Sequence, residues 1–230
     1  MIYPIQNLIE GVFIKEHKTR FLCEVSVNEN NVTCYVPISC KISKLIELNN
    51  NSVLLSRTQD KHAKTKYSLF AIKANKEYIV INTGIINKVV GKYIENNVPK
   101  GVIKPEFIIN NYKSDFFIEK NKVIVEVKSI ISREKNVVLP NMVSKRSIEQ
   151  LKNIYHLLQK EYLAEYYFVC LTQNIKLITV NIDSDYGQEL KKCIDIGMKT
   201  KILKILFANN NIILNETEEN KIYFSETHSY

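Results

Sequence analysis

At 230 residues, 45% hydrophobic and 24% charged, the chain has the composition of a globular protein of one large or two small domains. No apolar run reaches the roughly 18 residues of a membrane span, and Met1-Ile2-Tyr3-Pro4-Ile5-Gln6 lacks the basic start of a signal peptide, so a cytoplasmic protein without a membrane partner is expected. The net charge of +8 favours polyanions such as nucleic acid, whereas five irregularly spaced cysteines and only six glycines leave zinc knuckles, disulfide frameworks and glycine-rich phosphate loops unsupported.

Along the chain, residues 9–14, 20–27, 32–36, 52–56, 67–72 and 78–81 are β-rich runs, with a short helix near 42–48. Turn-formers such as Asn28-Glu29-Asn30-Asn31 separate them. Short strands at this density suit a small barrel, and an OB-like barrel leads. Residues 1–80 hold 11 Lys and Arg against 7 Asp and Glu. Arg57, Lys61, His62, Lys64 and Lys66 form the densest basic run. It reads as a phosphate-tracking loop, with Tyr67 as a stacking platform. Arg20, ahead of an apolar strand, reads either as part of that groove or as one end of a surface salt bridge.

The period changes after residue 82. Residues 83–95 predict a helix capped by Thr83 and ended by Asn96, Asn97, Pro99 and Gly101. Strands are expected at 107–110, 115–118 and 123–130, with a tight hairpin at Asn121. A second helix spans 144–161 with Ser144 as cap, strands follow at 165–171 and 177–180, and a third helix spans 185–198. Late strands are placed at 202–207 and 211–214, and the tail from Asn215 is expected to fray. This order predicts a mixed α/β sandwich. The chain divides into an OB-like domain over 1–80 and an α/β domain over 81–230.

The strand 123–130 carries the chemistry. Successive strand side chains point to opposite faces, so Ile124, Glu126, Lys128 and Ile130 share one face and Val123, Val125 and Val127 the other. Asp115 arrives from the strand before. Two carboxylates beside a lysine suit Mg²⁺ or Mn²⁺, which takes hard oxygen ligands and keeps several waters, with the lysine placed to orient water or stabilise charge. Glu106 is a third carboxylate or a strand-end surface residue. Arg146, near the start of the second helix, is placed to bind phosphate, with Gln150 one turn later on the same face. The plainer reading is an edge strand whose Glu126 and Lys128 face solvent. No nucleophile elbow occurs, and the four histidines are scattered.

Several stretches resemble the sugar fermentation stimulation protein (SfsA) family. They are Lys18-Thr19-Arg20-Phe21-Leu22, Lys64-Thr65-Lys66-Tyr67, Ile81-Asn82-Thr83 with Asn87, Glu106, Ser114-Asp115-Phe116 and Glu126-Val127-Lys128-Ser129. The resemblance implies an N-terminal OB-like domain and a C-terminal domain similar to PD-(D/E)xK nucleases. It implies metal ligation by Asp115 and Glu126, a catalytic role for Lys128 and an accessory one for Glu106. It also implies DNA as partner, with a regulatory role in sugar use. The chain departs from the family pattern in two places. Around the second helix, Leu139-Pro140-Asn141-Met142 replaces F-P-D-A and Arg146-Ser147-Ile148-Glu149-Gln150-Leu151 replaces R-G-Q-K-H-L, and in the N-terminal domain Pro37-Ile38-Ser39-Cys40 replaces P-N-T-G. Two functions are therefore expected in competition: a metal-dependent nuclease that holds nucleic acid on its OB-like domain, or a non-catalytic DNA-binding regulator.

Overall fold

The computed structural model describes all residues except 19–20, 39–40, 45–49, 59, 61, 75–76, 100–102, 133, 142–143, 218–221 and 227–230. Arg20 and Lys61 of the expected basic groove lie outside the described residues, as does most of the short helix expected near 42–48.

The N-terminal strands are β1 (Ile2–Pro4), β2 (Leu8–Glu16), β3 (Leu22–Val27), β4 (Asn30–Tyr35), β5 (Ser52–Arg57) and β6 (Tyr67–Ala74). Asn28 and Glu29 both adopt positive φ, +47° and +65°, as a two-residue turn needs to match strand twist. That turn sets the β3–β4 register, from Val27 opposite Asn30 to Leu22 opposite Tyr35. β2 pairs with β3 and β5, and β5 with β6. A parallel contact of β4 with β6, Cys34 to Tyr67 and Tyr35 to Ser68, closes the barrel. Cys23, Val25, Cys34, Val53, Leu55 and Leu69 point inward and are buried, as period-2 alternation dictates. At Gly11 a Cβ would lie 2.6 Å from Val25 Cγ1 and 2.9 Å from the Ser26 carbonyl, so β2 approaches β3 this closely only without a side chain.

β7 (Glu77–Val80) leaves the barrel sheet beside β6. α1 (Thr83–Asn97) follows, and its cap is Asn82 rather than Thr83. The Asn82 carboxamide accepts from the Ile85 N–H at 3.1 Å, while the Thr83 hydroxyl donates to the Pro37 carbonyl at 2.8 Å. Next come β8 (Ile103–Pro105), β9 (Ile108–Ile109), β10 (Tyr112–Lys113), β11 (Phe116–Ile118), β12 (Val123–Ile130), β13 (Asn136–Leu139), α2 (Lys145–Leu158), β14 (Leu163–Cys170), β15 (Leu177–Asn181), α3 (Asp185–Asp195), β16 (Lys199–Ala208), β17 (Asn211–Glu216) and β18 (Ile222–Ser225). β12, β14 and β16 run parallel, with β11 antiparallel outside β12 and β8 beyond it. β7 joins this sheet to the barrel through Tyr78 opposite Phe207.

Two findings differ from expectation at the ends. Residues 222–225 form β18, which pairs in parallel with β15 in a small sheet completed by β13, so this part of the tail is not frayed. β1 pairs with β17, and the N-terminal ammonium donates to the Leu214 carbonyl at 2.7 Å. Both strands are short and their partners are distant in sequence, so neither carried a local signal.

The sheet separates two cores. Val123 and Val125 join the barrel residues and α1 on one side. Ile124, Ile130, Tyr166 and Phe168 meet α2 and α3 on the other, through Leu151, Ile154, Leu157, Leu190 and Cys193. Glu126 and Lys128 share the face of Ile124 and therefore lie under α2. β14 flanks β12 along its whole length, but β11 flanks it only at Val123–Val125; it is the cover of α2 that leaves Glu126 buried and Lys128 half-buried, which removes the reading of a fully solvent-facing pair.

Candidate functional site

Asp115 stands just before β11, where α1 crosses the sheet. A Cβ on Gly91 would sit 2.8 Å from Phe116 Cε1, so the bare glycine lets α1 settle onto β11. This packing brings Asn87 to Asp115. The Asn87 amide donates to Asp115 Oδ1 at 3.1 Å, and the Val127 N–H of β12 donates to Oδ2 at 2.8 Å. The carboxylate is thus fixed between a helix and a strand.

Glu126 is only 5% exposed. The Tyr112 hydroxyl donates to its Oε2 and the Gln150 amide to its Oε1. Beneath it lie Tyr166 and Tyr186, whose hydroxyls approach to 3.3 Å. The Lys128 ammonium donates to the Ser147 hydroxyl at 3.1 Å and lies 5.8 Å from the Tyr186 ring centroid. Ser144 caps α2, its hydroxyl accepting from the Ser147 N–H at 3.3 Å, so the first turn of the helix carries Arg146 and Ser147 over the strand.

The electrostatics follow from this burial. Loss of solvent pushes the Glu126 carboxyl up to about 8, and the neighbouring Asp115 charge adds to the effect. The Tyr112 hydrogen bond and the Arg146 and Lys128 charges oppose it without cancelling it. Asp115 is raised for the same first reason, against the Val127 and Asn87 hydrogen bonds and Arg146. Burial, followed by the charge of Glu126, likewise holds the Tyr112 phenol protonated far above its ordinary range. For both carboxyls the loss of solvent outweighs the nearby positive charge.

Asp115, Glu126, Lys128 and Arg146 thus come together as the sequence predicted. Glu106 does not join them. Its side chain is 75% exposed and pairs with Lys113 at 2.9 Å, although its charge still acts on Asp115. Among the expected barrel residues, Arg57, Lys64 and Lys66 are exposed. Tyr67 is half-buried and packs against the barrel core, so the aromatic surface lies elsewhere: Tyr35 is 43% and Phe21 41% exposed. The residues that orient the carboxylates were only partly legible. Asn87 lay within a recognisable stretch and Gln150 one turn from Arg146, but nothing in the sequence marked Tyr112 or Ser147. Among the described residues, no group of three His, Cys, Asp or Glu stands at metal-binding distance, and no helix is long and apolar enough to cross a membrane.

Comparison with known proteins agrees with this architecture. The model of the SfsA N-terminal OB domain matches residues 16–81, and that of the sugar fermentation stimulation protein RE domain matches 84–211. A sugar fermentation stimulation protein homolog from Pelagibacter ubique is 31% identical over 191 residues, covering 78% of this chain and 82% of the relative. A homolog from Thermosipho melanesiensis is 26% identical over 215 residues, covering 92% and 94%. The fold matches the structure described as Pyrococcus furiosus SfsA in complex with Ca²⁺, with a TM-score of 0.80 at 17% identity, over 96% of this chain and 98% of that one. The chain belongs to the sugar fermentation stimulation protein family, with an OB barrel followed by an α/β domain.

Proposed function

We propose that this protein is a metal-dependent nuclease that binds nucleic acid, with DNA the expected polymer, and hydrolyses phosphodiester bonds. One observation carries the reading. Buried Glu126 and half-buried Asp115 lie close enough for each charge to act on the other, and both are oriented by the neutral donors Asn87, Val127 N–H, Tyr112 and Gln150. Hydrogen bonds from neutral groups fix a carboxylate without cancelling its charge, so the pair suits a divalent cation. Two hard carboxylates are enough for Mg²⁺ or Mn²⁺, which retains waters for its other positions. The Ca²⁺ named for the structurally similar Pyrococcus furiosus protein is likewise an oxygen-seeking ion and supports a cation at this site.

Asp115 and Glu126 would hold such an ion, which would supply a nucleophilic water and charge neutralisation at the phosphate. The chain supplies the rest. Lys128, steered by Ser147, offers its ammonium to orient the attacking water or to stabilise the developing charge. Arg146, exposed at the start of α2, grips the phosphate and offsets the negative pair. Arg57, Lys64 and Lys66 on the barrel hold the backbone without sequence preference.

The second reading, a non-catalytic DNA-binding regulator, draws on a different observation. Both oxygens of Glu126 already accept hydrogen bonds, and a carboxyl that ionises only near 8 can remain neutral in a site that never loads a cation. Cleavage of labelled single- and double-stranded DNA and RNA with Mg²⁺, Mn²⁺ or EDTA separates the two. The nuclease reading expects product that EDTA abolishes and that Glu126→Ala and Lys128→Ala both reduce by at least 100-fold, of the order seen for essential acid–base groups. Folded protein that binds DNA and yields no product with either metal establishes the regulator instead.

A further inference from the structure

We propose that the pocket between the β9–β10 hairpin and the C-terminal half of α2 is a nucleobase subsite, and that the substrate strand is unpaired where it crosses the carboxylates. This deepens the nuclease reading and rests on it for the identity of the neighbouring phosphate. The pocket has a volume of about 520 Å³, within the range of small-molecule sites. Ile109 and Leu157, both nearly buried, form its apolar floor. Asn110, Asn153, Gln159 and His156 supply its polar walls.

The chemistry of this lining is selective. Each carboxamide presents donors and an acceptor on one planar group, and a neutral imidazole presents one of each. That mixture complements the hydrogen-bonding edge of a base, while an apolar floor suits its face. The lining contains no Asp or Glu, so it carries no negative charge that would favour a cation or an amine over a neutral base. Lys160 adds the charge that a neighbouring phosphate requires. Asn110 and Asn111 reverse the chain at φ of +47° and +68°, and the Asn153 amide donates one hydrogen to the Glu149 carbonyl at 2.8 Å, while Asn110, His156 and Gln159 are exposed and open to an incoming base.

Position ties the pocket to the carboxylates. Tyr112 lines the pocket while its hydroxyl holds Glu126, so a single side chain separates the two. Gln150, the other partner of Glu126, lies on the same helix three residues before Asn153 and six before His156. At about 1.5 Å per residue these stand roughly 4.5 and 9 Å further along α2, the scale of one nucleotide step. A base can occupy the pocket only if it has left its pair, as in a single strand or a flipped position.

The test is binding, with Ca²⁺ replacing Mg²⁺, of a single-stranded oligonucleotide carrying 2-aminopurine and of the same sequence as a blunt duplex. Wild type should prefer the single strand at least tenfold and change the fluorescence of the probe. Asn153→Trp, which fills the pocket, should remove the preference and the fluorescence change. The double variant Asn153→Ala/His156→Ala gives the same reading without added bulk. Equal affinity of wild type for both forms, or a preference that survives in folded variants, overturns the subsite. If wild type cleaves with metal while the preference is insensitive to the variants, the subsite fails and the nuclease stands. If the variants abolish the fluorescence change in a protein that never cleaves, the base site stands and the nuclease fails.

Discussion

Burial and repulsion act in the same direction on Glu126, and this gives the site a measurable pH signature. Its carboxyl rises from an ordinary 4.5 to about 8, and Asp115 is shifted upward too. A carboxyl with a raised folded pKa binds its proton more tightly in the folded state. Its contribution to stability is therefore complete below about 4.5 and is lost as pH rises through about 8. The metal-free protein should become less stable by a few kcal/mol between pH 5 and pH 8. A divalent cation binds the ionised form, so Mg²⁺ or Ca²⁺ should raise the melting temperature more at pH 8 than at pH 5. Glu126→Gln should flatten the pH dependence and remove the cation effect. Thermal melts at both pH values, with and without metal, decide it, and a cation shift that is equal at pH 5 and pH 8 sinks the assignment. The same residue shows what a sequence conveys. Alternation placed Glu126 beside Lys128, but its burial comes from α2 and from Tyr112, which are 24 and 14 positions away.

At the scale of elements, the site depends on how α1 and α2 are seated. α1 delivers Asn87 to Asp115 because Gly91 lets it lie against Phe116. Gly91→Val would drive a side chain into that buried ring. Overpacking of this kind costs about 1–3 kcal/mol, and by lifting α1 it should weaken Ca²⁺ affinity as well. Urea unfolding together with calcium titration of the folded variant checks both. Unchanged calcium affinity in a destabilised variant would show that Asn87 does not govern the site. α2 reaches the site by a different route. Ser144 caps it, and Ser147 and Gln150 then face Lys128 and Glu126 one turn apart. The family pattern has glycine and histidine at these two positions, so this chain departs from it while keeping polar contact with both charged residues. The pattern alone marks Gln150 as a departure; the fold makes it a partner of Glu126.

Across the whole molecule, the distribution of charge governs association with nucleic acid. The net charge of +8 and the exposed Arg57, Lys64 and Lys66 predict binding that weakens steeply with salt. Lys64→Ala combined with Lys66→Ala should reduce the slope of log K against log salt by about 0.7 per lysine on a single strand and about 0.9 on a duplex. An unaltered slope would move the backbone-binding surface off this loop. Tyr35 and Phe21, exposed on the same barrel, offer more open aromatic faces than Tyr67, which is half-buried against the barrel core. The ends of the chain complete the architecture, with β1 on β17 and β18 on β15.

The amino-acid sequence by itself determined the barrel, the α/β order and the face on which Glu126 and Lys128 stand, because strand alternation, helix periodicity, capping and turn residues are local properties. Asn28-Glu29-Asn30-Asn31 marks a break between strands from its own residues, and Ser144 begins a helix from its own side chain. Only the tertiary structure decided that α2 covers β12 at Glu126, that Tyr112, Asn87, Ser147 and Gln150 converge on the charged residues, and that Glu106 turns to Lys113. Those outcomes depend on which distant segments pack together. Burial, which raises the carboxyls of Asp115 and Glu126, belongs to the assembled layers and to no single stretch of chain.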